Sequence, residues 1–484
     1  MGLLKSSGAK VLGVTAVLAL TAGAQTLIGA PRLAPCASTE YTAAITPAPA
    51  MHKEPAMHKE KVGDGPDRLT IVLAGDTGFN PKGALVDPRG FTKERDSLTY
   101  AQSLSGAAPD VDGDLAFLNL ETVVTDRNDL APDAKGQTAP YNFRSHPAGV
   151  DALTETGFNL FLLANNHSMD YGARGAEETL YHIAVAGAKR ALAYAGLGAD
   201  FEEATRPGCL EIGGMKLGFS ATGIITGQRA AHRAGQGKPG QAAYRNQKDF
   251  EIVVNRLREL PADYRILSVH YGLEGRVVPD ARQRADWRDY AARKMGIDLI
   301  VGHHPHVAQG VERVGNSVIF YGLGNFLHPG TAKMKRFGLC RDYGLMAKVH
   351  LAKEEGAWTL AAIEAIALTG THKRPERFAP KEGARRIFAL NYLSDQLRDG
   401  DGSSNGAQGV RFSPREDGSG LYCADGASQL GGKIGAMCAP LPPPPSISPN
   451  LARHLKTACA DKPFYGAVAK KRRKTNSIFS FEQF

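Results

Sequence analysis

Between residues 68 and 371, short runs of apolar and β-branched residues alternate with longer stretches whose apolar positions return every three to four residues. The first pattern suits a buried strand and the second an amphipathic helix, so together they predict an α/β domain built on sheet. Strands are predicted at 69–74, 115–118, 160–164, 217–221, 266–269, 299–301 and 318–321, with helices after several of them, for example 173–186 and 247–259. Past Pro380 one further amphipathic helix is predicted at 385–398, before Gly- and Ser-rich sequence and the run Leu441-Pro442-Pro443-Pro444-Pro445. The expected organisation is a domain over 67–375, a C-terminal helix within 376–400 and a loosely ordered basic tail over 401–484.

The amino terminus has a different pattern. Lys5 and Lys10 precede an apolar stretch over 11–24 that ends in Ala22-Gly23-Ala24, the layout of a secretion signal with a small-residue cleavage site. Weaker apolar character continues to Ala30, long enough for an uncleaved anchor, so residues 1–30 are read as a signal peptide or an N-terminal anchor. Both readings predict an exported protein, in the periplasm or on the outer face of the inner membrane. Residues 31–66 form an Ala-, Pro-, Lys- and His-rich linker in which Pro-Ala-Met-His-Lys-Glu occurs twice. His52 and His58 in that repeat are read as spacer rather than as ligands. Leu33-Ala34-Pro35-Cys36 resembles a lipobox only faintly, and Pro35 argues against lipidation.

Composition adds three constraints. A chain of 484 residues with 43% hydrophobic content can bury at least one large core, which excludes disorder throughout. The net charge of +9 owes much to the run Lys470, Lys471, Arg472, Arg473, Lys474. Beside a secretion signal that run is read as a solvated tail meeting anionic lipid or polymer, and no nucleic-acid partner is inferred. The six cysteines contain no Cys-x-x-Cys pair, so a zinc ribbon or thioredoxin motif is excluded. In an oxidising compartment some are expected to pair, and Cys423, Cys438 and Cys459 stand where a disulfide would staple a segment poor in apolar residues.

Candidate chemistry gathers just after the predicted strands, the edge at which open α/β sheets hold ligands. Asp76 follows 69–74; Asn119 and Glu121 follow 115–118; Asn165, Asn166, His167 and Asp170 follow 160–164. His270 and Glu274 follow 266–269, and Gly302-His303-His304-Pro305-His306 follows 299–301. Pro305 restrains the backbone, so that His304 and His306 can address a common centre. Carboxylates, an amide and imidazoles form a hard-to-borderline ligand set, suited to divalent transition metals such as manganese, iron or zinc, and two ions are expected. Two cations in such a site activate water and neutralise the charge that develops at phosphorus or carbon, while a neighbouring histidine protonates the leaving oxygen.

These residues stand in six segments: Ala74-Gly75-Asp76, Asn119-Leu120-Glu121, Ala164-Asn165-Asn166-His167-Ser168 with Asp170 and Gly172, His270-Tyr271-Gly272 with Glu274, Gly302-His303-His304-Pro305-His306-Val307, and Tyr321-Gly322-Leu323-Gly324-Asn325-Phe326. In that order they resemble the CapA family of bacterial capsule synthesis proteins, itself similar to the calcineurin-like metallophosphoesterases. The resemblance implies a sandwich of central β-sheets flanked by helices. It also implies Asp76, Glu121, Asn166, His270, His304 and His306 as metal ligands and His167 as general acid, with Asp170, Glu274 and Asn325 beside them. The implied role is capsule or exopolymer (poly-γ-glutamate-like) biosynthesis or export, through a metal-dependent hydrolase or transferase acting on an anionic envelope polymer or a phosphorylated precursor. Membrane-associated capsule export proteins are the implied partners. The alternative is a non-catalytic polymer-binding or assembly component with a structural metal.

The sequence departs from the phosphoesterase pattern at three places. Asp76 is followed by Thr77 and Gly78, so the histidine of the usual Asp-x-His pair is absent and one metal position is expected to be weak or empty. Glu121 stands where phosphoesterases commonly have Asp, and Tyr271 where the family often has Trp.

Overall fold

The structure is a computed structural model and describes residues 34–35, 67–90, 98–225, 229–331, 337–397 and 406–460. The expected signal or anchor, the two histidines of the spacer, Cys36 and the basic run at 470–474 lie outside the described residues.

The strand Arg68–Thr77 shows how the layers arise. Leu69, Ile71 and Leu73 pack in one buried cluster with Leu217, Phe219, Ile266, Leu299 and Val301. Val72 and Ala74, pointing the other way, pack with Leu153, Ala176 and Ile183 of the helices Pro147–Thr156 and Gly172–Lys189. On the far side, Leu267, Val269 and Ile300 meet Phe250 and Val253 of the helix Gln247–Glu259, together with Trp287. Two sheets therefore face each other, each backed by helices, which is the sandwich expected. Strands covered on both faces read as almost unbroken apolar runs, and this made them visible in sequence.

The first sheet runs in the order Ser413–Pro414, Gly420–Cys423, Ala357–Thr369, Gly344–Glu354, Arg68–Thr77, Leu115–Leu120, Leu160–Leu162, Ala193–Ala195. The last four strands are parallel. The second runs Ala34–Pro35, Gly208–Ile212, Met215–Gly223, Tyr264–His270, Leu299–His303, Ser317–Phe320, Val311–Val314, Ala407–Gly409, with its four strands from Met215–Gly223 to Ser317–Phe320 parallel.

Two differences from the sequence-based expectation concern the carboxyl-terminal half. The hairpin of Gly344–Glu354 and Ala357–Thr369 supplies two long strands where none was predicted. Its alanine content and buried Lys348, His350 and Glu364 break the alternation by which strands are recognised. The tail expected to be loosely ordered beyond Gly400 is built into the body as far as Ala460. Ala407–Gly409 extends the second sheet and Gly420–Cys423 the first. Disulfides Cys423–Cys438 and Cys340–Cys459 hold the rest, doing the work that its small apolar content cannot. The helix expected at 385–398 is Pro380–Asp395, because Pro380 suits the first helical turn, where its missing N–H costs nothing.

Glu364 is the hub of a buried polar chain across this hairpin. It accepts from His350 at 2.9 Å and from Arg415 at 2.8 Å, while His350 meets Thr70 at 2.9 Å. Burial favours the neutral acid, but the hydrogen bond and charge of His350, with Lys348 and Arg415, prevail and hold Glu364 down to about 2 from an ordinary 4.5. A carboxyl lowered on folding stabilises the protein above its unfolded pKa, and that contribution is lost as pH falls from about 4.5 through about 2. Glu364→Gln should therefore remove on the order of 3 kcal/mol at neutral pH and flatten the acid limb of a denaturation curve between pH 5 and 2. Equal slopes for the two proteins in urea titrations across that range would contradict this.

Candidate metal centre

With strands parallel in both sheets, their carboxyl ends meet along one edge of the sandwich. The first sheet brings Asp76 near the end of Arg68–Thr77, Glu121 just past Leu115–Leu120, and Asn166, His167 and Asp170 in the turn after Leu160–Leu162. The second brings His270 as the last residue of Tyr264–His270 and His303 as the last of Leu299–His303, followed by His304 and His306.

Glu121 is the centre of the group. It is fully buried, and among the described residues neither carboxylate oxygen has a hydrogen-bond partner. Around it stand His270 Nε2 at 3.4 Å, His167 Nε2 and His328 Nε2 at 3.8 Å, and His306 Nδ1 at 4.0 Å. Leaving a buried carboxylate without hydrogen bonds is costly, whereas a cation among these groups would satisfy it and them together. Two groups of donor atoms share Glu121, one with His270 and His304 and the other with His306 and His328. Asn166 Oδ1 adjoins the first at 2.6 Å from His270 Nε2, and Asp76 Oδ2 adjoins the second at 3.0 Å from His306 Nδ1. The donor set fits borderline divalent metals. His304 and His306, expected to address one centre, instead fall in different groups joined through Glu121. Their backbones, at φ +92° and +56° on either side of Pro305, lie in the left-handed region, a strain that non-glycine residues bear mostly at functional sites.

Burial and charge set the state of these groups. Burial pushes Glu121 well above the usual carboxylate range, and the charge of Asp76 adds to this. Burial also favours the neutral form of Asp76, but hydrogen bonds from His303 and His306 overcome it and hold the carboxyl well below its usual range. His306 behaves conversely: against burial, the charge of Glu121 and the hydrogen bond to Asp76 push it up to about 10. Burial lowers His270 and His328 far below the ordinary range and takes His304 down to about 4, which leaves three neutral imidazoles, the form that binds metal.

Beside this centre His167 Nδ1 lies 2.7 Å from Asp170 Oδ2, so the carboxyl orients the ring and directs Nε2 at Glu121. Asp170 also accepts from the Phe143 N–H at 2.5 Å and forms a buried ion pair with Lys135. Burial pushes Asp170 up to about 7, against the pull of Lys135. Burial first, and then the Lys135 charge, keep His167 neutral. Asn325 Oδ1 sits 2.9 Å from His306 Nδ1. Glu274, half-buried after Tyr264–His270, acts on Glu121, His304 and His306 through its charge.

Three functional candidates were not singled out in the sequence. Lys135, in a loop with no strand before it, reaches the centre only through the fold and is 3% exposed. His303, in the His-His-Pro-His segment but not assigned a role, stacks on Phe117 and sets Nδ1 3.3 Å from Asp76 Oδ1, which positions that carboxylate. His328 lies two residues beyond the Gly-Asn-Phe motif. Its proximity to a motif was the only signal available.

The family model described as bacterial capsule synthesis protein PGA_cap matches residues 70–329. The PGA biosynthesis protein CapA of Bacillus subtilis is 32% identical over 193 residues, 38% of this chain and 47% of that protein. The capsule biosynthesis protein CapA of Bacillus anthracis is 30% identical over 184 residues, 37% of this chain and 42% of that protein. A probable polyglutamine synthesis accessory protein of Mycobacterium tuberculosis is 28% identical over 227 residues, 44% of this chain and 55% of that protein. The chain thus spans about half the length of the curated relatives it matches. Among solved structures, the calcineurin-like phosphoesterase YfkN from Bacillus subtilis aligns over 67% of this chain and 96% of its own at 15% identity, with a TM-score of 0.37.

Proposed function

Because the chain belongs to the bacterial capsule synthesis family PGA_cap, we propose that it serves the synthesis or export of an anionic envelope polymer, as a metal-dependent hydrolase or transferase acting on that polymer or on a phosphorylated precursor. The observation that carries this reading is the buried, unbonded Glu121 carboxylate ringed by imidazoles, with His167 Nε2 directed at it. Asp76, Glu121, Asn166, His270, His304 and His306 would hold the metal. When bound, the metal supplies Lewis acidity and positive charge for the oxygens of a phosphoryl or carbonyl group.

The protein's own groups would do the rest. His167, neutral and held by Asp170 at Nδ1, would take a proton at Nε2 from the attacking group and pass it to the leaving oxygen. Lys135 keeps Asp170 anchored, and so fixes the ring that Asp170 orients. The low exposure of the centre keeps bulk water from screening these charges. Export is part of the proposal, supported by the N-terminal pattern and by disulfides of the kind that persist outside the cytosol.

The test uses the full chain, stripped with chelator and reloaded with Mn²⁺, against bis(p-nitrophenyl) phosphate and poly-γ-glutamate. Metal-dependent cleavage of either is the expected result. Polymer binding without cleavage of any phosphoester or γ-glutamyl substrate would overturn the enzymatic reading in favour of a binding component.

A further inference from the structure

The sequence lacks the histidine two residues after Asp76, and the structure shows which residue comes to that place. The strand Asn325–Leu327 lies parallel to Arg68–Thr77, pairing Asn325 with Asp76 and Leu327 with Thr77, with an irregularity between. The pairing continues one step, since the Gly78 N–H donates to the Leu327 carbonyl at 2.8 Å. The next residue after Leu327 therefore stands beside Gly78 on the neighbouring strand. That residue is His328.

Its side chain is aimed at the centre. The backbone N–H of His328 donates to the Thr371 carbonyl at 2.7 Å, and the residue is 3% exposed. The ring meets Phe143 edge-on at 5.1 Å and lies 4.8 Å from the His306 ring. His328 Nε2 is 3.8 Å from Glu121 Oε2, too far for a hydrogen bond. Two donors that share an ion at about 2.1 Å each are separated by roughly 3–4 Å, so this spacing is that of co-ligands.

We propose that His328 replaces, from the adjacent strand, the imidazole missing at position 78, and so completes a second metal position formed with Asp76, Glu121 and His306. The inference rests on the metal-centre reading above and alters one expectation drawn from the sequence, that this position is weak or empty. The replacement is possible because only the location of the nitrogen matters to an ion. Either of two adjacent parallel strands can deliver a side chain to the same point.

The test is Mn²⁺ stoichiometry on the full chain, by calorimetry and by the spin-coupled electron paramagnetic resonance signal of paired Mn²⁺ ions. Four proteins are compared: wild type, His328→Phe, His304→Ala, and Gly78→His combined with His328→Phe. Phenylalanine keeps an aromatic ring against Phe143, which protects folding. A Cβ at Gly78 would come no nearer than 3.4 Å to any neighbour, so the backbone accepts the added histidine. Wild type should bind two Mn²⁺ with a coupled signal. His328→Phe should keep one tight ion, lose the coupling and bind the second at least about 100-fold more weakly. The double variant should recover both the second ion and the coupling. Two tight, coupled ions in His328→Phe would overturn the inference, as would a single ion in wild type unaffected by the substitution. No Mn²⁺ in folded wild type would instead overturn the metal-centre reading, and this inference with it. His304→Ala distinguishes the positions, because it should weaken the other ion and leave His328 its own.

Discussion

Glu121→Gln should lose the protein both metal ions in a single substitution, the largest effect expected at any position. Glu121 is the one side chain common to both donor groups, and each group without it retains only imidazoles of its three members. An amide is a poor substitute, since it brings no negative charge and presents a single oxygen. In wild type, Mn²⁺ at about 100 times its dissociation constant should stabilise the fold by about 2.7 kcal/mol per site, visible as a rise in melting temperature. Glu121→Gln should show no such rise. In chelator, however, the variant should melt at or above wild type, because the buried carboxyl has no hydrogen bonds to lose and burial already drives it towards the neutral form. A variant that still gains stability from Mn²⁺, or that unfolds readily in chelator, would contradict the place of Glu121 in both donor groups.

The second large effect is kinetic. His167→Gln should lower turnover by roughly 10²- to 10⁴-fold while leaving Mn²⁺ stoichiometry unchanged. The distinction follows from geometry: the Nδ1 side of His167 is occupied by Asp170 at 2.7 Å, and its Nε2 faces Glu121 at 3.8 Å without belonging to either donor group. Loss of metal together with activity would make His167 a ligand. Unchanged activity would remove it from the chemistry. The neighbouring Lys135 explains how such a residue can sit so deep. Burial first, and then its ammonium, make the protonated imidazole unfavourable, so the ring is held neutral near His306, whose imidazole is pushed up.

The resemblance to capsule synthesis proteins and the arrangement of the centre bear on each other. Relatives named for PGA biosynthesis and capsule biosynthesis match over about half their own length, so much of each relative lies beyond the alignment. The substrate is therefore best sought with assays on the chain itself.

The sequence alone determined the alternation of elements and the edge on which chemistry gathers. Central strands covered on both faces must be apolar at nearly every position, and polar residues placed at strand ends interrupt that apolarity with Asp76, Glu121, Asn166, His270 and the His-rich turn. Both signals are local, since each depends on neighbours within a few residues. What only the tertiary structure decided depends on register between distant strands. The division of the strands into two facing sheets, the attachment of residues 407–423 to both of them, and the arrival of Lys135 at Asp170 and of His328 at Glu121 are of this kind. His328 reads in sequence as a histidine after a glycine-rich turn, while Gly78 reads as the loss of a ligand. The hydrogen bond from the Gly78 N–H to the Leu327 carbonyl joins the two facts, and no local pattern encodes a contact between residues separated by about half the chain.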